Sequence, residues 1–212
     1  MKIEKKVLDM SLAGIFTAII IAMSVVPFLG YIPLGFMNAT IIHVPVIIGA
    51  IILGPKYGAY LGLVFGVTSL VKATITPGVT SFVFSPFVTI GGYSRNMWSA
   101  VIAIVPRVCI GIVAYYVYKL IMKVAHGIKG SQTVALWVAG IAGAMTNTLL
   151  VMNGIYIFFG QSYAAASNKA VEHIYDVILG IILGFGIPEA IVAGILTTAI
   201  TKVLFKIMKN NG

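Results

Sequence analysis

HVPVIIGAIILGPKYGAYLGLVFG, residues His43–Gly66, decides how this chain folds. It is two apolar segments turned back on each other at Gly54-Pro55-Lys56-Tyr57-Gly58. Glycine recurs at every fourth position, at Gly54, Gly58, Gly62 and Gly66. On a helix that spacing strips the side chains from one stripe, where a neighbouring backbone can approach closely. A single lysine sits in the turn and a lone histidine opens the first segment.

The same apolar character runs through all 212 residues, of which 60% are hydrophobic and 9% charged, with a mean hydropathy of +1.07. No water-soluble fold hides that much apolar surface, so the chain belongs in a bilayer. The net charge of +9 comes from lysines standing singly beside apolar runs. There is no interleaving of aromatic and basic residues, so the charge serves membrane orientation rather than a nucleic-acid partner. One cysteine, Cys109, excludes an intramolecular disulfide and a cysteine-based zinc site. The first apolar run is too long for the core of a cleavable leader and reads as the first membrane helix.

Taken in order, the sequence predicts an all-α integral membrane protein of one domain, residues 1–212, with six spans. Lys2, Lys5 and Lys6 precede a first span over Asp9–Pro27, which carries Gly14, Ala18 and Ala22 on one face. An uncharged connection over Phe28–Asn38 leads to a short second span, Ala39–Leu53. At about 15 residues, or ~22 Å, this span is shorter than the ~30 Å hydrocarbon core. The third span is Tyr57–Ala73. A long aromatic and glycine-rich stretch over Thr74–Met97 then reads as a lid. Trp98–Leu120 and Val134–Phe159 are the fourth and fifth spans, and Gln161–His173 is a polar outer segment. Ile174–Gly186 reads as a short helix in the outer half, with the sixth span at Pro188–Ile207 and Pro188 in its first turn. Both termini are then cytoplasmic. Lys2, Lys5, Lys6, Lys56, Lys119, Lys123, Lys129, Lys202, Lys206 and Lys209 fall inside, leaving Lys72, Arg95 and Lys169 outside.

Ionisable residues within spans are costly and normally face a bundle interior or a wet cavity. Here they are His43, Lys72, Arg107, Asp176 and Glu189, with Asn147 and Asn153 as neutral companions. On this topology all but Asn147 map to the outer half. Lys72 reads as snorkelling to the interface, and Arg107 as either a ligand contact or the partner of Glu189. Arg95 lies in the lid with Tyr93, Asn96 and Trp98, poised to close over a ligand. GAIILGPK, Gly49–Lys56, lacks the lysine and the Ser or Thr of a phosphate loop, so the chain itself does not hydrolyse ATP. No HExxH or comparable metal motif occurs, and no cofactor is expected.

The stretch Pro45-Val-Ile-Ile-Gly49-Ala50-Ile-Ile-Leu-Gly54-Pro55-Lys-Tyr-Gly58 resembles an element across the second and third helices of the S components of energy-coupling factor (ECF) vitamin transporters. The likeness extends to TNTLLV at Thr146–Val151 and GIPEAIVAGIL at Gly186–Leu196. Gly14, Ala18 and Ala22 match the family's alanine-rich docking motif, with glycine for the first alanine. IHVPVIIGAIILGPK and FVFSPF look most like the pantothenate-type members. The resemblance implies a high-affinity vitamin-binding subunit in the cell membrane, without enzymatic activity. Its implied partners are a membrane-embedded T component and two cytoplasmic ATPases. Pantothenate suits the residues: Arg95 or Arg107 for its carboxylate, Asn38, His43, Asn147 and Asn153 for its hydroxyls and amide, and Phe84, Tyr93 and Trp98 for its branched apolar end. Glu189 completes the expected site. The same residues suit riboflavin, folate or similar vitamins. A solitary proton-coupled carrier using His43, Glu189 and Asp176 is the alternative from another class, with an intramembrane enzyme behind it.

Overall fold

The computed structural model describes residues 2–26, 29–34, 37–89, 96–166 and 173–210. Helices α1 (Lys2–Val25), α2 (His43–Leu53), α3 (Pro55–Ile75), α4 (Trp98–Val124), α5 (Ser131–Ala166), α6 (Ile174–Ile181) and α7 (Ile187–Asn210) make up nearly all of it. A 3₁₀ turn lies at Ser81–Val83, and a π turn at Ile182–Gly186 joins α6 to α7. Among the described residues, five helical stretches are long and apolar enough to cross a membrane: Lys5–Val25, Pro55–Ile75, Trp98–Val124, Ser131–Ala166 and Ile174–Asn210.

Helix α2 is the sixth apolar element and the axis of the bundle. It packs against α1, α3, α4, α5 and α7, and every residue from His43 to Ile51 is buried. A helix that is apolar on all sides has to be enclosed in this way. Its 11 residues span about 16 Å, less than the Ala39–Leu53 expected. Met37–Thr40 is instead strand β2, paired antiparallel with β1 (Tyr31–Leu34) in the register Tyr31↔Thr40 to Leu34↔Met37. Aromatic and β-branched residues at Tyr31, Ile32 and Thr40 favour the extended form, and the Ile41 N–H extends the pairing to the Gly30 carbonyl.

The glycine stripe does what its spacing predicts. A Cβ on Gly62 would overlap the Arg107 carbonyl, one on Gly66 would press on Ala103 and Ile104, and Gly58 lies directly against Gly111. Helices α3 and α4 therefore touch backbone to backbone, antiparallel. Between helices in lipid, such packing replaces the hydrophobic effect as the holding force. Gly54 has φ +99°, a left-handed value that lets α2 end and Pro55 start α3 without a linker.

Two expectations near the C-terminal half need correction. Helix α5 does not stop at Phe159 but continues to Ala166, because Val151, Ile155, Phe159 and Tyr163 keep one buried face at i, i+4 spacing. Ile174–Gly186 is not a separate helix before the last span. It runs on into α7 through the π turn as one helical stretch, Ile174–Asn210, so Pro188, in the first turn of α7, has helix on both sides. Pro188 offers no N–H to the carbonyl four residues back, and the backbone widens just before it, with the Ile187 N–H reaching Ile182 O.

The expected lid is tied down where it is described. Phe82 and Val83 are buried, Ser99 Oγ donates to Phe82 O at 2.8 Å, and the Thr74 and Ser85 hydroxyls lie 2.7 Å apart. The small-residue row of α1 faces outward. Gly14, Ala18 and Ala22 are exposed, and nothing lies within 4 Å of where a Gly14 Cβ would be.

Candidate functional site

A cavity of about 450 Å³ opens among α3, the 3₁₀ turn, α4, α5 and the α6–α7 junction. Four of the residues expected from sequence line it: Phe84, Arg107, Asn147 and Glu189. Each is placed by a local feature.

Arg107 follows Pro106, which has no N–H to give the carbonyl four residues back, that of Ile102. The Arg107 guanidinium takes the vacancy, its Nη1 donating to Ile102 O at 2.8 Å. The same group sits 5.5 Å from the Phe65 ring centroid and 5.1 Å from that of Phe84, within cation–π range. Arg107 is only 5% exposed, and the backbone carbonyl and aromatic faces offset part of its lost hydration.

Glu189 enters from the first turn of α7, just past the π turn. Its Oε1 accepts the Thr40 backbone N–H at 2.8 Å and lies 3.8 Å from His43 Nδ1. This one carboxylate thus fastens the end of the β-hairpin to α7 across the cavity wall. His43, 1% exposed, stands behind Glu189, outside the cavity lining; neither ring nitrogen has a hydrogen-bond partner among the described residues. Asn147, 9% exposed, comes from the middle of α5, and its Oδ1 has no partner among the described residues. An acceptor buried in this state is energetically poised for a donor from a ligand.

Other expected residues fall elsewhere. Asn153 is exposed on the far side of α5, its Nδ2 donating to its own helix at Leu149 O, 2.7 Å away. Trp98 is 47% exposed and stacks on Phe158 with centroids 4.1 Å apart, outside the cavity. Asp176 is exposed beside His173 at 3.5 Å, so the triplet His43, Glu189 and Asp176 does not come together. Tyr93, Arg95 and the side chain of Asn38 lie outside the described residues.

Several lining residues stand outside the expected site: Ser69, Lys72, Thr148 and Tyr163 among them. The sequence places Lys72 at the interface, whereas its Nζ donates to Ser24 O at the end of α1, 3.2 Å away, and the side chain lines the cavity. Ser69 and Lys72, three apart, share a face of α3, which was the available signal. Tyr163 was hidden by ending α5 too early.

The family model described as "ECF transporter, substrate-specific component" matches residues 9–201. The chain is 36% identical over 211 residues to "Pantothenic acid transporter PanT" of Lactococcus lactis subsp. cremoris, covering 98% of this chain and 99% of that one. It is 30% identical over 203 residues to "Pantothenate transporter PanT" of Leuconostoc mesenteroides, covering 93% and 92% respectively. Among solved structures it is similar to the S component for biotin from an ECF-type ABC transporter. That similarity has a TM-score of 0.51 with 18% identity and covers 95% of both chains, a likeness of fold.

Proposed function

The chain belongs to the family of substrate-specific components of ECF transporters, and from that membership we propose that its cavity binds pantothenate for an ATP-driven importer. It is a transport subunit, not an enzyme. The observation that carries the pantothenate reading is the near-full-length identity to two proteins named for that vitamin. The cavity supports it. Its 450 Å³ lies in the ~300–1,000 Å³ range of small-molecule pockets, and its wall joins apolar side chains to two cations, a carboxylate, an amide and several hydroxyls. Pantothenate carries a carboxylate, an amide and two hydroxyls around a branched apolar centre, which is the complementary set.

The lysine distribution supports a topology with six spans, both termini in the cytoplasm, and the end of the bundle where α3 stops and α4 starts on the outer side. The cavity then opens outward, as uptake across the cell membrane requires. The exposed Gly14–Ala18–Ala22 face of α1 is the surface for the T component, which the ATPases drive.

The test is uptake of labelled pantothenate into vesicles. With the T component and both ATPases present, accumulation should require internal ATP. Uptake by the chain alone, driven by a proton gradient, would overturn the importer reading. That outcome would favour the solitary carrier, for which the 3.8 Å approach of His43 to Glu189 is the one supporting feature.

A further inference from the structure

The two ends of the cavity differ in chemistry. Gly62 abuts Arg107 and Gly66 abuts Ala103 and Ile104, so α3 and α4 run antiparallel in step. Lys72 lies about 15 Å beyond Gly62 along α3, toward the start of α4. On α5, Gly154 meets Ile102 and Gly143 meets Ala114, which puts Asn147 within a turn of Arg107. Gly186 meets Thr148 and Gly140 meets Gly194, which puts Glu189 within a turn of Asn147. Arg107, Asn147 and Glu189 therefore form one end, the floor. Lys72, Thr76 and Thr80 form the other.

On the floor, a cation and a carboxylate offset each other, and Asn147 Oδ1 is an acceptor without a partner among the described residues. A ligand carboxylate placed there would face the Glu189 carboxylate in a poorly solvated space, an unfavourable pairing of like charges. A hydroxyl would instead donate to Asn147 or Glu189. At the other end, among the described residues, the charged lining side chain is Lys72, beside threonine hydroxyls.

We propose that the ligand lies along this axis with its hydroxyl end on Asn147 and Glu189 and its carboxylate at Lys72, so that Lys72 selects for the acid. This rests on the pantothenate reading and goes beyond it by fixing the direction of the ligand and the residue that distinguishes acid from neutral analogue.

The experiment compares pantothenate with pantothenol, in which a primary alcohol replaces the carboxylate. Calorimetry on the purified full chain measures both ligands on the wild type, Lys72→Met, Lys72→Gln, Arg107→Gln and Asn147→Leu. Because the two ligands are compared on the same protein, any loss of folded material cancels in the ratio. The wild type should prefer the acid by about tenfold or more, the scale of a hydrogen bond to a charged group. Both Lys72 variants should bind the two ligands alike. Asn147→Leu should weaken both by about tenfold and keep the preference. Acid preference surviving in both Lys72 variants, or vanishing in Arg107→Gln with Lys72 intact, overturns the proposal while leaving the pantothenate reading in place. Absence of pantothenate binding by the wild type overturns that reading as well.

Discussion

At the scale of single residues, the site depends on vacancies in the backbone that side chains fill. Pro106 frees Ile102 O, and Arg107 occupies it. In Pro106→Ala the new N–H competes for that carbonyl and loosens the guanidinium. Pantothenate affinity should then fall by roughly two- to tenfold, the worth of one hydrogen bond, while thermal unfolding in detergent moves up. The second such contact is Glu189 Oε1 on the Thr40 N–H. Glu189→Ala leaves that donor orphaned at a cost of about 1–3 kcal/mol. Hydrogen exchange at the Thr40 amide should accelerate, and Glu189→Gln, which keeps an oxygen acceptor, should largely restore protection. Equal protection in wild type and Glu189→Ala would show that the hairpin is held by other means. These placements were partly legible in the sequence: an arginine directly after a proline within a span announces a freed carbonyl near a cation. Lys72 was not legible, because an interfacial lysine and a cavity lysine have the same sequence neighbourhood. Only the position of Ser24 O and the cavity wall separates the two.

At the scale of elements, the glycine stripe and the α1 face make opposite use of small residues. On α3 they admit a neighbour within the chain. Gly62→Ala drives a Cβ into the Arg107 carbonyl and should destabilise the protein by about 1–3 kcal/mol, as overpacking does, with loss of binding because Arg107 moves. Gly78→Ala, where nothing lies within 4 Å, is the control and should behave like the wild type in thermal unfolding. On α1 the row Gly14–Ala18–Ala22 faces away from the chain's own core, so Ala18→Trp should leave ligand affinity intact. It should abolish co-purification with the T component. Recovery of the full complex with Ala18→Trp would remove the docking assignment. Four-residue spacing made both stripes readable, but spacing alone does not say which stripe is filled from within. The hairpin and the long α6–α7 stretch escaped for a different reason. Met37–Thr40 is too short to show a periodicity, and a proline beyond a glycine pair imitates a helix start when it is in fact accommodated by a π turn.

At the scale of the whole molecule, the buried central helix α2 contributes none of the cavity-lining residues and holds His43 behind Glu189, while the surrounding helices line the cavity beside it. That division explains why the fold was readable from one 24-residue stretch while the site was dispersed over five elements. On the proposed function, ligand recognition is complete in this chain, and the partners of the importer add energy and movement. Calorimetric titration of pantothenate into the purified chain, with no T component and no ATPase, tests this most directly. The account predicts saturable one-to-one binding of pantothenate and no measurable heat from biotin or riboflavin under the same conditions. Absence of pantothenate binding, or tighter binding of one of the other vitamins, would contradict it.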